Sequence, residues 1–304
     1  MPELPDIVVY QEALASRTVG AVLRGTRVAS PFVVRSADPP LASVAGARVQ
    51  GVERMGKRLV LALEGERFLV LHLMVAGRLQ WKPLGAPVPG RVGLMAFDFE
   101  ARGTLLFVEA SGKKRASLHL VAGRAGLAAF DRGGLEVLQA DLPAFEERLT
   151  RERHTLKRSL TDPTLFSGIG NAYSDEILHA ARLSPVRMSD ALTQDEVRAL
   201  YGATRATLTL WTERLRAEAE RKGWPEKVTA FRPEMAVHGR YREPCPVCGA
   251  PVQRIVHAEN ETNYCAGCQN GGRLLADRSL SRLLRKDWPR SLAELDERPA
   301  AKTR

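Results

Sequence analysis

The chain has 304 residues, 44% of them hydrophobic and 26% charged, with a net charge of +10. That composition excludes a disordered tail, leaves room for one large domain or two ordinary ones, and offers no apolar run near the ~18 residues that cross a bilayer. The surplus of Lys and Arg calls for a polyanionic partner, and without a lipidation signal or a separate basic amphipathic helix, nucleic acid fits better than a membrane. No secretory segment opens the sequence, so the expected location is the cytoplasm.

The first residues read MPELPD. An initiator Met before a small residue is normally trimmed, which would leave Pro2 as a free secondary amine. An α-amine titrates near ~8 and a Lys side chain near ~10.4, so at neutral pH the terminal amine holds roughly 250 times more of its neutral, nucleophilic form. The plainer reading is a Pro near the first turn of a helix starting around Pro5, with Asp6 at its positive end.

A short helix with Ile7, Tyr10 and Leu14 at helical spacing is followed by strand-like alternation to about residue 130. "RLVLALEGERFLVLHLMVAGRLQW" is expected to form two strands joined at Glu64, Gly65 and Glu66, and "LMAFDFEARGTLLFVEAS" another pair turning at Arg102 and Gly103. A β-sandwich or barrel accommodates these runs. Lys57 stands at a strand entrance, where a lone Lys is usually solvated. Lys113, Lys114 and Arg115 fall in a loop between strands, suited to phosphate contact or to a charged hairpin tip. His72 and His119 sit in apolar runs and are expected to be core residues without a catalytic role.

From about Phe145 the apolar spacing becomes helical, through "AFEERLTRERHTLKRSL", "NAYSDEILHAARL" and "LTQDEVRALYGATRATLTLWTERLRAEAE". Gly168 and Gly170 precede Asn171 at the entrance to one of these helices. Glycines there let backbone approach a phosphate while Asn171 and the helix amides donate, although a tight connection with a capping Asn looks the same.

All four cysteines follow, Cys245 and Cys248 in "CPVCG" and Cys265 and Cys268 in "CAGC". Two C-x2-C knuckles supply four thiolates for one tetrahedral Zn²⁺ with no open position, so the zinc is structural and holds a hairpin through "APVQRIVHAENETNY". Beyond Gln269, "GGRLLADRSLSRLLRKDWP" has amphipathic spacing at Leu280, Leu283 and Leu284, which suits packing on the protein or a protein partner.

In this order, the Pro-Glu terminus, the β-rich first half, the "GIGNAYSDEIL" segment and the four-Cys finger resemble the formamidopyrimidine-DNA glycosylase and endonuclease VIII family over about residues 2–269. The resemblance implies an α+β protein with four parts. A β-sandwich catalytic domain with a leading helix spans 1–130, a helix-two-turn-helix DNA-binding domain 131–240, a zinc finger 241–269 and a C-terminal extension 270–304. It implies a bifunctional glycosylase and abasic-site lyase of base-excision repair, removing damaged bases, expected to be oxidised ones, through a Schiff base and β,δ-elimination, and acting as a nucleoid-associated monomer on double-stranded DNA from which the target nucleotide is flipped.

Pro2 matches the family's Schiff-base nucleophile, Glu3 its catalytic carboxylate and Lys57 its phosphate-binding lysine. Gly170 and Asn171 match the phosphate-gripping turn, and Lys157, expected to contact DNA, a basic residue ahead of it. Asp6 stands where Glu is usual, and Asn260 where the finger carries an Arg. Val75 aligns with an intercalating Met, and Lys114 and Arg115 with an Arg-Phe pair that fills the vacated stack. "RKGWPEKVTAFRPEM" is shorter than the family's base-capping loop. A non-catalytic lesion-binding protein is the alternative on the same scaffold. An RNA-binding or ribosome-associated zinc protein would explain charge and finger but not the Pro.

Overall fold

In the computed structural model, residues 1–226, 232–257, 260–276 and 289–296 are described. They form two compact units, Met1–Gly134 with Thr209–Ala230, and Leu135–Leu208 with Phe231–Arg304.

The first unit opens with α1 (Leu4–Thr18), which has Pro5 in its first turn and buries Ile7, Tyr10 and Leu14 on one face. Eight strands follow: β1 (Leu23–Val28), β2 (Val49–Met55), β3 (Arg58–Leu63), β4 (Arg67–His72), β5 (Gly77–Lys82), β6 (Gly93–Phe99), β7 (Gly103–Glu109) and β8 (Ser117–Ala122). They build two antiparallel four-stranded sheets, ordered β1-β6-β7-β5 and β2-β3-β4-β8. This is the β-sandwich with a leading helix that the resemblance implies.

The strand pair β3–β4 shows why the sequence there is apolar without interruption. Leu59, Leu61, Leu63, Leu69 and Leu71 enter the core between the sheets. Val60, Ala62, Phe68 and Val70 point the other way, where Leu127 of a 3-10 turn (Arg124–Phe130) covers them. Both faces are dry, so the simple inward-outward alternation of a half-exposed sheet is lost.

The long run from Arg58 holds three strands, one more than its pattern suggests. After β4 the chain reverses through a tight turn in which the Gly77 N–H donates to the Leu73 carbonyl at 2.8 Å, and β5 then joins the other sheet. A Cβ on Gly77 would lie 2.2 Å from that carbonyl oxygen. Only glycine fits there, and a single Gly within an alternating run is a weak sequence mark of a sheet change.

The second unit holds α2 (Leu142–Thr150), α3 (Leu156–Thr161), α4 (Asn171–Ala180) and the first half of α5 (Gln194–Lys222). Asp141 caps α2 by accepting from the Ala144 N–H, and Thr155 caps α3 by accepting from Arg158. A hairpin, β9 (Gln253–His257) with β10 (Asn260–Tyr264), leads into the short α6 (Ala266–Asn270). Within the extension, the Leu274 N–H donates to the Arg290 carbonyl and the Leu292 N–H to that of Gly272. Leu280, Leu283 and Leu284 lie outside the described residues, as do parts of the loop after Trp224. Among the described residues no helix is long and apolar enough to cross a membrane.

Candidate active site

Pro2 and Glu3 are buried immediately ahead of α1. Glu3 is the N-cap and Asp6 the third helical residue, and the two form a reciprocal capping box in which the Asp6 carboxylate accepts from the Glu3 N–H at 3.0 Å. The shorter Asp6 still reaches the cap. As the chain stands, the α-amine is that of Met1, and burial is the largest influence lowering its pKa from the usual value. Glu3 and Asp6 pull it up, while Arg78 and Lys57 push it down. All four charges therefore act on the same end of the chain. Lys57 follows Gly56 in the two-residue turn between β2 and β3, and is half-buried.

Arg78 was not legible as a site residue. It lies on β5, where the strand pattern places a polar side chain, and its guanidinium donates to the Val75 and Gly77 carbonyls. Burial lowers its pKa too. Val75 stands 60% exposed at the tip of that same turn, whereas Met74, at φ +52°, is half-buried.

The β7–β8 loop carries Lys113, Lys114 and Arg115. Its shape comes from Glu109, a carboxylate only 2% exposed that accepts from the Arg115 and Ala116 N–H groups at 3.1 and 3.0 Å. Lys114 donates to the Arg91 carbonyl, while Lys113 and Arg115 are exposed. His72, at the end of β4, is held neutral: burial first, then Arg58, Lys57 and His119, lower its pKa to about 4. His119 packs edge-on against Phe130 with ring centroids 4.9 Å apart.

In the second unit Gly168 takes φ +79°, and Gly170 is the N-cap of α4. Asn171, the first helical residue, donates from Nδ2 to the Glu261 carbonyl of β10 at 2.7 Å. An amide nitrogen carries two N–H groups, so this bond orients the side chain and leaves a second donor. Lys157 Nζ lies 2.6 Å from the Asn171 carbonyl and 2.5 Å from Asp175 Oδ1. The other Asp175 oxygen pairs with His238 Nδ1 at 2.8 Å and accepts from the Asn263 N–H at 3.1 Å. Glu176 accepts three backbone N–H bonds, from Ala236, Val237 and His238. Asp175 and Glu176 lie inside the quoted helical motif, but apart from Lys157, 18 residues before Asp175, their partners are 60 or more residues distant and no local spacing announces them.

The four Cys sulfurs all lie within 4.8 Å of one another, with Cys248 to Cys265 at 3.3 Å and Cys245 to Cys268 at 3.9 Å. Zinc–thiolate bonds of about 2.3 Å in a tetrahedron place sulfurs about 3.8 Å apart, so this donor set fits one structural Zn²⁺. Backbone N–H groups of Val247 and Cys268 point at Cys245 and Cys265 Sγ, and His179 Nε2 lies 3.3 Å from Cys245 Sγ. These outer contacts orient the ligands. Asn260 begins β10 opposite His257 and is exposed. Arg254, three pairs along, alternates to the other face of the hairpin, where it meets Glu261 at 3.2 Å and the Tyr241 ring at 4.3 Å.

Residues 1–116 match the formamidopyrimidine-DNA glycosylase N-terminal domain, 135–217 the H2TH domain of the same enzymes, and 242–271 a zinc finger found in FPG and IleRS. The formamidopyrimidine-DNA glycosylase of Thermus thermophilus is 34% identical over 284 residues, covering 90% of this chain and 100% of that protein. The enzyme of that name from Symbiobacterium thermophilum is 32% identical over 277 residues, covering 88% and 89%. Among solved structures, Lactococcus lactis Fpg in complex with DNA containing an abasic site has a TM-score of 0.77 at 26% identity, covering 88% of this chain and 99% of that one. A MutM complex with DNA containing carbocyclic 8-oxo-G has a TM-score of 0.76 at 26% identity, covering 88% and 100%. With three family domains matched in order and relatives above 30% identity along nearly its whole length, the chain belongs to the formamidopyrimidine-DNA glycosylase family.

Proposed function

We propose that the protein is a bifunctional DNA glycosylase and abasic-site lyase of base-excision repair, acting as a monomer on damaged duplex DNA through a Schiff base on Pro2. The observation that carries this reading is the buried Pro2-Glu3 pair at the start of a capped helix, within the electrostatic reach of Lys57 and Arg78. Removal of Met1 frees the Pro2 nitrogen as a secondary amine, the form that can attack carbon.

The chemistry follows from those groups. The Pro2 nitrogen forms a bond to C1′ of the flipped nucleotide as the C1′–base bond breaks, and the base departs with the bonding electrons and a proton. Glu3 assists sugar-ring opening and the proton transfers. The resulting iminium acidifies the neighbouring sugar C–H. Loss of that proton expels the 3′ phosphate, and a second elimination expels the 5′ phosphate. Lys57 binds phosphate in the β-rich unit. Lys113, Lys114, Arg115, Gly170, Asn171 and Asn260 supply DNA contacts, of which those to the backbone set position and carry no sequence information. The zinc holds the β9–β10 hairpin and takes no part in the reaction.

Asn260 favours the alternative of a lesion-binding protein without activity, because a neutral amide cannot form the bidentate cationic fork of an Arg. Borohydride decides between them. Incubated with an abasic-site duplex and reductant, the Met1-processed protein is expected to become covalently attached to DNA. Binding without a covalent adduct would overturn the enzyme reading and leave the sensor.

A further inference from the structure

We propose that Lys157 is a positioning residue for Asn171 and makes no contact to DNA; the inference rests on the reading that Asn171 grips the phosphate backbone. The family resemblance places a basic residue at this point, and its simplest use is a phosphate contact. The surroundings of the ammonium argue otherwise. The Lys157 side chain is 12% exposed and that of its partner Asp175 is 0% exposed. Two of the three ammonium donors point inward, one to Asp175 Oδ1 at 2.5 Å and one to the Asn171 carbonyl at 2.6 Å. Swinging outward to a phosphate would strand the Asp175 carboxylate among the buried atoms, with only the His238 ring and the Asn263 N–H to meet its charge.

What the inward pose accomplishes is local. The Asn171 carbonyl belongs to the first residue of α4; the Ser174 hydroxyl also lies 3.1 Å from it, although its shorter contact is to the Gly170 carbonyl at 2.6 Å. Lys157 thus fixes the peptide plane from which the Asn171 side chain projects. The Asn171 amide is held from its other side by the Glu261 carbonyl. Because Asp175 also receives the Asn263 N–H of β10, one carboxylate ties α3, α4 and the finger hairpin to a single geometry. The charge of Lys157 is cancelled within this network, which leaves the N-terminal amides of α4 as the electropositive feature.

The discriminating readout is the salt dependence of binding. A phosphate contact contributes about 0.9 to the slope of log affinity against log salt, whereas a residue that only aims another contributes nothing to it. Wild type and Lys157→Gln would be titrated with a fluorescent abasic-site duplex between low and physiological salt, with the folded fraction measured by circular dichroism. The expected result is affinity about ten- to a hundred-fold weaker at every salt concentration with the slope unchanged, in line with the cost of small misplacements in a preorganised site. Lys157→Arg, which keeps the charge and can still reach Asp175, is expected to recover much of the affinity. Should Lys157→Gln fold poorly, the doubly neutral Lys157→Met/Asp175→Asn removes the stranded charge and is expected to show the same parallel loss. A slope lowered by about one unit makes Lys157 a DNA contact and overturns the proposal. So does wild-type affinity per folded molecule, which makes it a stabilising residue only. If wild type itself fails to bind the duplex, the DNA-repair reading falls first and this inference with it.

Discussion

With Met1 attached, the Pro2 nitrogen is an amide whose lone pair is delocalised into the carbonyl, and it cannot attack carbon. Protein retaining Met1 is therefore expected to bind an abasic duplex without forming a borohydride-trapped adduct, whereas the processed form traps. Pro2→Gly keeps an amine but exchanges a secondary for a primary one and loosens the backbone, so excision in a single-turnover assay is expected to fall at least tenfold while DNA binding persists. An unchanged rate would remove Pro2 from the mechanism. His72 carries a different kind of prediction. Its folded-state pKa of about 4 lies below the ordinary 6.5, so the unfolded chain binds the proton more readily. The stability involved is fully present above about pH 6.5 and is lost as the pH falls toward 4, to a total of about 3 kcal/mol at most. Urea denaturation of His72→Gln should show a shallower decline between pH 6.5 and 4.5 than wild type, and parallel declines would refute the assignment. The apolar run around His72 suggested a core residue, but at the end of β4 the side chain is only half-buried. Its setting beside Lys57 and Arg58 was not readable in the sequence, since β-pairing to neighbouring strands brings those charges together.

The β9–β10 hairpin joins the zinc cluster to Asn171 through a single backbone carbonyl, that of Glu261. Structural zinc contributes folding free energy outright, so chelation with an excess of a strong zinc ligand is expected to release the hairpin. Hydrogen exchange should then rise across β9, β10 and the start of α4, and affinity for the abasic duplex should collapse, while strands β3, β4, β6 and β7 stay protected. Intact binding with four free thiols would contradict this. The turn before β5 makes a second test. Gly77→Ala forces a Cβ to within 2.2 Å of the Leu73 oxygen, and the backbone shift needed to relieve it should cost about 3 kcal/mol in chemical denaturation. A melting curve like that of wild type would mean the turn can move. The contrast between these two elements explains what could be read in advance. Two Cys knuckles are a complete chemical statement within 24 residues, Cys245 to Cys268, whereas the β4–β5 turn is marked by one glycine in an otherwise continuous alternation.

A chain with net charge +10 binds polyanions before any specific contact is counted. The cationic contact that the resemblance leads one to expect at Asn260 can be introduced there. Arg254 does not stand in for it, being on the opposite face of the hairpin and engaged by Glu261 and Tyr241. Asn260→Arg is therefore expected to steepen the salt dependence of duplex binding by about 0.9 and to tighten binding at low salt. Identical slopes in the two proteins would mean that another cation already serves the same phosphate. Much of the architecture was legible because patterning changes from period two to helical spacing near Phe145, and motif order supplied the rest. Within the candidate site, Pro2-Glu3 and Gly170-Asn171 could be singled out from consecutive residues, whereas Lys57 and Lys157 were named only through the resemblance. Arg78, Asp175, His238 and Glu176 take their roles from partners that the fold supplies, and nothing in their immediate neighbours distinguishes them from ordinary surface or core polar residues.

Chain termini usually fray, and a nucleophile on a frayed end would have to be immobilised anew at each encounter with substrate. Here Ile7, Tyr10 and Leu14 anchor α1 in the core, and the capping box fixes Glu3 to the helix that follows. Pro2 is one residue from that anchor, and its ring removes the rotation about φ that any other residue would keep. If Pro2 is the nucleophile proposed above, the entropy of aiming its amine is surrendered once, when the sandwich folds. Substrate binding energy remains for extruding the nucleotide, which is the costlier motion in the encounter.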